Sequence, residues 1–327
     1  MALMKTFLAL FPPDATAEDI VQTVASALAG LVLLLHLIVY YTVGTGTAFL
    51  MAMATAYCAG RWIYWNGVGV GGWDWVWLRD VAAMRSTLVS HPQQDGTLRV
   101  VCISDTHGKH RNVQVPDGDV LIHCGDFTNK GTHQEIKDFN DWIGTLPHRH
   151  KIVIAGNHDL SLDSAEYTSH WQASWRHSEF QDPSVSRHLL TNCTYLENRS
   201  VVIEGVKIYG SPMTPPIPGR IMAFNVARGF AAQQLWSQIP TDVDILVTHG
   251  PPHGVLDKTV TGLHVGEESL LKEILSRCRP QFHLFGHIHE AYGITRLGKT
   301  VFINCAASTL LGHAKHPPVV FDIPCNC

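Results

Sequence analysis

The sequence predicts an α/β domain built on mixed β-sheets and preceded by a hydrophobic N-terminal segment. Three observations lead there. Short β-branched runs alternate with amphipathic helical stretches from about residue 97 onward. One such stretch, Val201 to Tyr209, folds back on itself at Gly205 as an antiparallel pair, so the sheets are mixed rather than purely parallel. Finally, Ile20 to Gly60 contains no Asp, Glu, Lys or Arg.

In chain order, residues 1–19 form a short tail. Ile20 to Tyr41 would span about 33 Å as a helix at ~1.5 Å per residue, enough for the hydrocarbon core of a bilayer, and Tyr40 and Tyr41 stand where interfacial aromatics are expected. Val43-Gly-Thr-Gly46 breaks the run and Thr47 to Gly60 is a second, shorter apolar stretch, so residues 20–65 are expected to form one membrane span or a helical hairpin. A cleaved signal peptide is the competing reading. The run is longer than an ordinary signal core and follows Asp14, Glu18 and Asp19 rather than basic residues, which favours an anchor that stays attached. Arg61, Arg79 and Arg85 come after it, and the positive-inside tendency therefore places the C-terminal part in the cytosol. Two glycosylation-type triplets, Asn192-Cys-Thr194 and Asn198-Arg-Ser200, point weakly the other way. Residues 66–96 are rich in Trp and Gly, suited either to lying against headgroups or to packing on the following domain.

The remaining domain, residues 97–323, opens with the strand Val100 to Ile103. After Asp126, Thr132-His-Gln-Glu135 forms a capping box, and Ile136, Phe139 and Ile143 share one helical face before Gly144 and Pro147 end the helix. The strand Lys151 to Ala155 follows, as a β-α-β crossover requires. Glu267 to Cys278 reads as a second amphipathic helix, with Leu270, Leu271, Ile274 and Leu275 inward and Pro280 closing it. The eight cysteines show no disulfide framework: Cys102, Cys124 and Cys305 lie in strand-like runs and read as buried thiols. The tail, residues 324–327, ends Cys325-Asn-Cys327 and is read as inert or as a lipidation site. A net charge of −4 without basic clusters gives no reason to expect a nucleic acid polymer as partner.

Five apolar runs stop at a His, Asp or Asn beside a Gly. They deliver Asp105 and His107, Asp126, Asn157 with His158 and Asp159, His249, and His287 with His289. Strand ends bring side chains from distant parts of a chain to one edge of a sheet. Carboxylate, imidazole and amide donors without a thiolate suit Mn, Fe or Zn better than Ca, and a metal pair needs a shared oxygen ligand, for which Asp126 is the candidate.

Asp105-Thr-His107, Gly125-Asp126, Gly156-Asn-His-Asp159, Thr248-His-Gly250 and Gly286-His-Ile-His289 together resemble the motif set of the calcineurin-like metallophosphoesterases. Lys207-Ile-Tyr-Gly-Ser-Pro212, Phe224-Asn225, Arg228-Gly229 and the ending Pro317-Pro-Val-Val-Phe-Asp322 are similar to the branch called metallophosphoesterase domain-containing proteins. The resemblance covers about residues 97 to 323. It implies a four-layer α/β/β/α sandwich of two mixed sheets flanked by helices. It further implies one metal on Asp105, His107, Asp126 and His289 and another on Asp126, Asn157, His249 and His287. A hydroxide held by the ions would attack phosphorus in line, and His158 would donate to the leaving oxygen. Asp159 is expected either to orient His107 or His158 or to cap a turn, and it stands where the branch often carries Glu. Some animal members carry Gly at the position of His287; this chain keeps the His.

The implied substrate is a small phosphodiester such as a cyclic nucleotide. Arg228 is the candidate partner for a phosphate oxygen and Phe224 for stacking on a base. A phospholipid or lipid-linked phosphoester is the alternative that the membrane segment raises, and a metal-centred nucleotide-binding module without turnover is the reading from another class.

Overall fold

The computed structural model describes residue 93 and residues 95–172 and 179–325. The expected membrane segment at 20–65, most of the Trp/Gly-rich linker and the last two residues of the tail lie outside the described residues. Among the described residues, no helix is long and apolar enough to cross a membrane.

Two mixed sheets carry the domain. In the first, β1 (Thr97–Ile103), β2 (Val120–Cys124), β3 (His150–Ile154) and β4 (Thr194–Tyr195) run parallel, and the last strand, β11 (Val319–Pro324), closes the edge antiparallel to β1. In the second, β6 (Val206–Ser211), β7 (Ile245–Thr248), β8 (Phe282–Phe285) and β10 (Thr300–Asn304) are parallel. Its edges, β5 (Arg199–Ile203) and β9 (Gly293–Leu297), are antiparallel to their neighbours. The β5–β6 hairpin turns through Glu204 and Gly205, both at positive φ, which matches the twist of the flanking strands.

Alternation along the strands fixes the layers. Val100, Cys102, Ile122 and Cys124 of the first sheet pack with Ile208, Val247, Leu284 and Ile303 of the second in one fully apolar core between the sheets. Val101, Ile103, Leu121 and Val153 point the other way, against Ile136, Phe139 and Ile143 of α1 (His133–Gly144). Leu246, Phe285 and Phe302 form the corresponding outer face of the second sheet. They pack against Ala232 and Trp236 of α4 (Phe230–Trp236) and Leu270 of α5 (Glu268–Glu273); the short helices α2 (Ser164–His170) and α3 (Pro183–His188) lie earlier in the chain. Strands buried on both faces read as continuous apolar runs, which is why they stand out in the sequence.

The capping box at Thr132 and Glu135 is present with both of its bonds. Such a cap contributes about 1 kcal/mol to the start of a helix. The second predicted helix departs from expectation in its last turn. After α5 the chain continues as a π-type turn, Ile274–Cys278, ending at Arg279 in the left-handed region. The wider turn rotates the face, so Cys278 is buried and Leu275, expected inward, is exposed. Cys102, Cys124, Cys193, Cys278 and Cys305 are free, the first two and Cys305 being buried as expected. Cys325, in the tail read as inert or as a lipidation site, is disulfide-bonded.

Each sheet buries one histidine in its interior. His283 Nε2 lies 2.8 Å from Thr248 Oγ1, whose own hydrogen goes to Gly250 O. Nε2 therefore carries the ring proton, and Nδ1 is a buried lone pair with no partner among the described residues. His123 makes the same pairing with Thr106 Oγ1 at 3.0 Å. Burial pushes both down to about 3. Because the unfolded chain protonates near 6.5 while the folded one stays neutral, stability falls as pH drops from about 6.5 towards 3, by about 1.4 kcal/mol per unit for each histidine. Replacing His283 with Gln is expected to remove about 2 kcal/mol of the loss between pH 6.5 and pH 5, measurable as a smaller pH dependence of the urea midpoint.

Candidate metal centre

The carboxyl ends of β1, β2, β3, β7 and β8 all open onto the same edge, where the two sheets meet. The parallel bridge Ser104↔Ala306 and the bond from Ala307 N to Ser104 O (2.7 Å) join the sheets there. Four of the residues that leave these strands, Asp105, His107, Asp126 and His287, have φ between 44° and 67°. Side chains rarely adopt that region, and its concentration here marks a functional edge. The turns are held by Asp105 N to Gly125 O (2.9 Å) and His107 N to Asp126 O (3.0 Å).

Each buried carboxylate has one oxygen fixed by a backbone amide and the other turned towards imidazoles. Asp105 Oδ2 accepts from His287 N (2.9 Å) and its Oδ1 lies 3.3 Å from His289 Nε2. Asp126 Oδ1 accepts from His158 N (2.7 Å), and its Oδ2 lies 3.4 Å from His249 Nε2 and 3.8 Å from His107 Nε2. Asn157 Oδ1 is 3.0 Å from His249 Nε2, and the Nε2 atoms of His107 and His289 lie 3.2 Å apart. Donor atoms within 4.8 Å of one another fall into three groups that could hold an ion: Asp105, His107 and His289; Asp126, His249 and His287; and His107, Asp126 and His158. Six of the seven expected ligands are in the first two groups, and Asn157 joins the second through its carbonyl oxygen.

The residues fit metal ions in two further respects. His249 Nδ1 donates to Cys124 O (2.9 Å) and His289 Nδ1 faces Thr309 O (3.3 Å), which turns each Nε2 into the site. The electrostatics also call for cations. Burial opposes ionisation of Asp105 and Asp126, yet both are held below the usual carboxylate range, Asp105 chiefly by His289 and Asp126 by His249 and His158. Against burial, Asp126 raises His249 to about 9 and Asp105 raises His289. Burial pushes His107 down to about 4 and His287 to about 3, leaving neutral imidazoles.

Two glycines make room. A Cβ on Gly156 would fall onto Asp126 Oδ1 and lie 2.6 Å from His249 Cε1, and one on Gly286 would collide with Asp105 Oδ2. The Asp159 carboxylate is taken up by loop backbone and a threonine hydroxyl. Its Oδ1 accepts from Thr128 N (2.9 Å) and Thr128 Oγ1 (2.6 Å), and its Oδ2 from Gly156 N (2.8 Å). No cap bond comes from its side chain. It ties the loop after Asp126 to the loop before Asn157, and burial together with the Asp126 charge raises it to about 7. His158 stands edge-on to His107, ring centroids 4.6 Å apart, with Nδ1 donating to Asn129 O.

Both residues expected to touch substrate are occupied elsewhere. Arg228 donates to Val265 O and Gly266 O at 2.6 Å each, closing a loop. Phe224 is buried in the core beside α1, where no base can stack on it. Ser308 was not among the expected site residues. Its hydroxyl donates to Asp105 O (2.6 Å), and it follows β10, another parallel strand whose run Val301 to Cys305 ends in small residues. The strand-end rule that found the other blocks would have found it had Ala306-Ala-Ser308 been read as a sixth.

The calcineurin-like phosphoesterase family pattern matches residues 98–291. The chain belongs to this family. Metallophosphoesterase domain-containing protein 1 of Homo sapiens is 43% identical over 245 residues, covering 71% of this chain and 73% of that protein, and the Mus musculus protein of the same name matches equally. UPF0046 protein C25E10.12 of Caenorhabditis elegans is 42% identical, covering 71% and 83%. The strand-end donors of this phosphoesterase lie inside the matched span.

Two outcomes follow for the phosphoesterase. Gly156→Ala is expected to keep the far-UV circular dichroism of the parent while losing more than half of its bound metal, read by elemental analysis. Metal must displace the proton on His249, so apparent Mn affinity is expected to rise about tenfold per pH unit from pH 7 towards pH 9, with proton release visible by calorimetry in buffers of different ionisation enthalpy.

Proposed function

We propose that this phosphoesterase is a two-metal phosphodiesterase acting on small phosphodiesters, cyclic nucleotides among them. The observation that carries the proposal is that the buried Asp126 groups with His249 and His287 and also with His107, which in turn groups with Asp105 and His289. Asp105, His107, Asp126 and His289 would hold one ion, and Asp126, Asn157, His249 and His287 the other. The donor set suits Mn, Fe or Zn. When bound, two such ions supply Lewis acidity and a nucleophile near neutral pH. The protein fixes the imidazoles of His249 and His289 through a carbonyl each, excludes side chains at Gly156 and Gly286, and leaves His158 beside the site. With Nδ1 donating to Asn129 O, His158 offers Nε2 to the leaving oxygen. Asp159 acts as a positioning residue.

The engagement of Arg228 by backbone carbonyls favours a diester over a monoester, because a doubly charged phosphate calls for a further cationic partner. The same reading keeps residues 20–65 as a membrane anchor, residues 66–96 as an interfacial linker and residues 97–323 as the catalytic domain on the cytosolic side.

Chelation is expected to abolish hydrolysis and Mn to restore it. Bis-p-nitrophenyl phosphate and cyclic AMP should turn over at least tenfold faster than p-nitrophenyl phosphate, and His287→Ala, which removes a ligand, should lower both metal content and rate, the rate by at least the roughly hundredfold that loss of a group merely supporting a ligand can cost. Hydrolysis indifferent to chelation and to His287→Ala would overturn the proposal, and tight nucleotide binding without product would point to a binding module.

A further inference from the structure

Two small hairpins flank His289, and each exposes aliphatic side chains at its tip. The first is closed by the bridge Lys258↔His264 and by Thr259 N to Leu263 O (2.9 Å), and presents Val260 and Leu263, the latter 64% exposed. The second is closed by Ser308↔Ala314 and by Thr309 N to His313 O (2.8 Å), and presents Leu310 and Leu311, the latter 75% exposed. Glycines at positive φ, Gly262 and Gly312, turn both.

Neither hairpin is a loose loop. Val260 N donates to Glu290 Oε1 (2.9 Å), next to His289, and the buried Asp257 at the base of the first hairpin accepts from Gly254 N and Gly266 N at 2.9 Å each. Thr309 O is the carbonyl that faces His289 Nδ1, Ser308 Oγ donates to Asp105 O, and Lys109 Nζ donates to Gly312 O. The exposed aliphatic tips are thus rigidly coupled to the donors of the metal centre. Exposed apolar surface of this kind, fixed beside a site, marks an interaction surface.

We propose that the two tips seat the mouth of the metal centre on an anionic lipid surface, so that the diester hydrolysed is carried by a membrane amphiphile. Charge complementarity selects this occupant. Residues 258–264 and 308–316 carry Lys258 and Lys315 and no Asp or Glu, Lys109 reaches Gly312 O, and the adjoining carboxylates of Asp257 and Glu290 are engaged by His264 and by Val260 N, so aliphatic tips flanked by lysines fit an interfacial anchor on anionic lipid. The uncharged run from Ile20 to Gly60 gives the same chain an independent reason to work at a bilayer. The chemistry is hydrolysis: water adds across one P–O bond of the diester, the oxygen bonding to phosphorus and a proton going to the leaving oxygen, which yields a phosphomonoester and an alcohol. The proposal rests on the two-metal phosphodiesterase reading above and puts a membrane-borne diester in place of the cyclic nucleotide as its substrate.

The test uses the full chain, in detergent and in lipid nanodiscs with and without phosphatidylserine, and reads amide hydrogen exchange at 259–263 and 309–313. Exchange at both tips is expected to slow about tenfold in phosphatidylserine discs. Leu310→Ser with Leu311→Ser is expected to lower the ratio of glycerophospholipid to bis-p-nitrophenyl phosphate turnover about tenfold. Tips that exchange as fast in discs as in detergent, or a ratio unchanged in the variant, would overturn the proposal. So would protection in detergent that grows with protein concentration, the mark of a second copy, or protection in detergent at every concentration, the mark of the chain's own hydrophobic segment. Protected tips with neither diester hydrolysed by metal-loaded protein would leave the docking in place and overturn the phosphodiesterase reading.

Discussion

Two carboxylates buried where the sheets meet set the terms for everything around them. Asp105 and Asp126 are almost wholly removed from water. An isolated buried anion is so costly that it is protonated or is matched by positive charge and hydrogen bonds. Here the matching is visible atom by atom: a backbone amide on one oxygen of each, imidazoles facing the other, and protons drawn onto His249 and His289. The cavity is therefore built for cations, and the loops that close it are shaped by that requirement.

The backbone bears part of the cost. Asp105, His107, Asp126 and His287 all sit in the left-handed region, which for non-glycine residues costs of order 1 kcal/mol or more each. Such a conformation persists only where neighbours over-determine it. The amide bonds to Gly125 O and Asp126 O, the bridge between Ser104 and Ala306, and the three bonds received by Asp159 provide that restraint. The left-handed turns aim donors from two sheets at a common space, something straight strand ends cannot do because successive side chains there point to opposite faces.

What could be read in advance was whatever repeats along the chain. Runs buried on both faces, a capping box, a hairpin glycine and polar residues at strand ends are local signals, and the strands, α1 and the convergence of strand-end His and Asp residues followed from them. Hydrogen-bond partners distant in sequence were not local. Arg228 has the chemistry to bind phosphate, but Val265 O and Gly266 O claim it; Phe224 has the shape to stack on a base, but the core beside α1 takes it. Asp159, one methylene shorter than the Glu common in its branch, reaches two backbone amides and a threonine hydroxyl instead of an imidazole. Leu275 fits a regular helical face and was misplaced because the last turn is wider than that period. The membrane segment expected at residues 20–65 lies outside the described residues and rests on composition alone.

The histidines show how the same side chain is given opposite duties by its second nitrogen. His123 and His283 use one nitrogen on a threonine and bury the other unpaired, so they stay neutral and face the core. His249 and His289 give Nδ1 to a carbonyl and turn Nε2 to the site. The carbonyls that do this belong to other loops: Cys124 precedes Asp126, and Thr309 follows the strand beyond His289. Each imidazole is thus oriented by a segment that adjoins or supports another ligand. A displacement at one strand end must then reach several donors together, so the centre behaves as a unit rather than as separate sites. That interdependence is the physical reason why donors from both sheets can be held with so little freedom on loops alone.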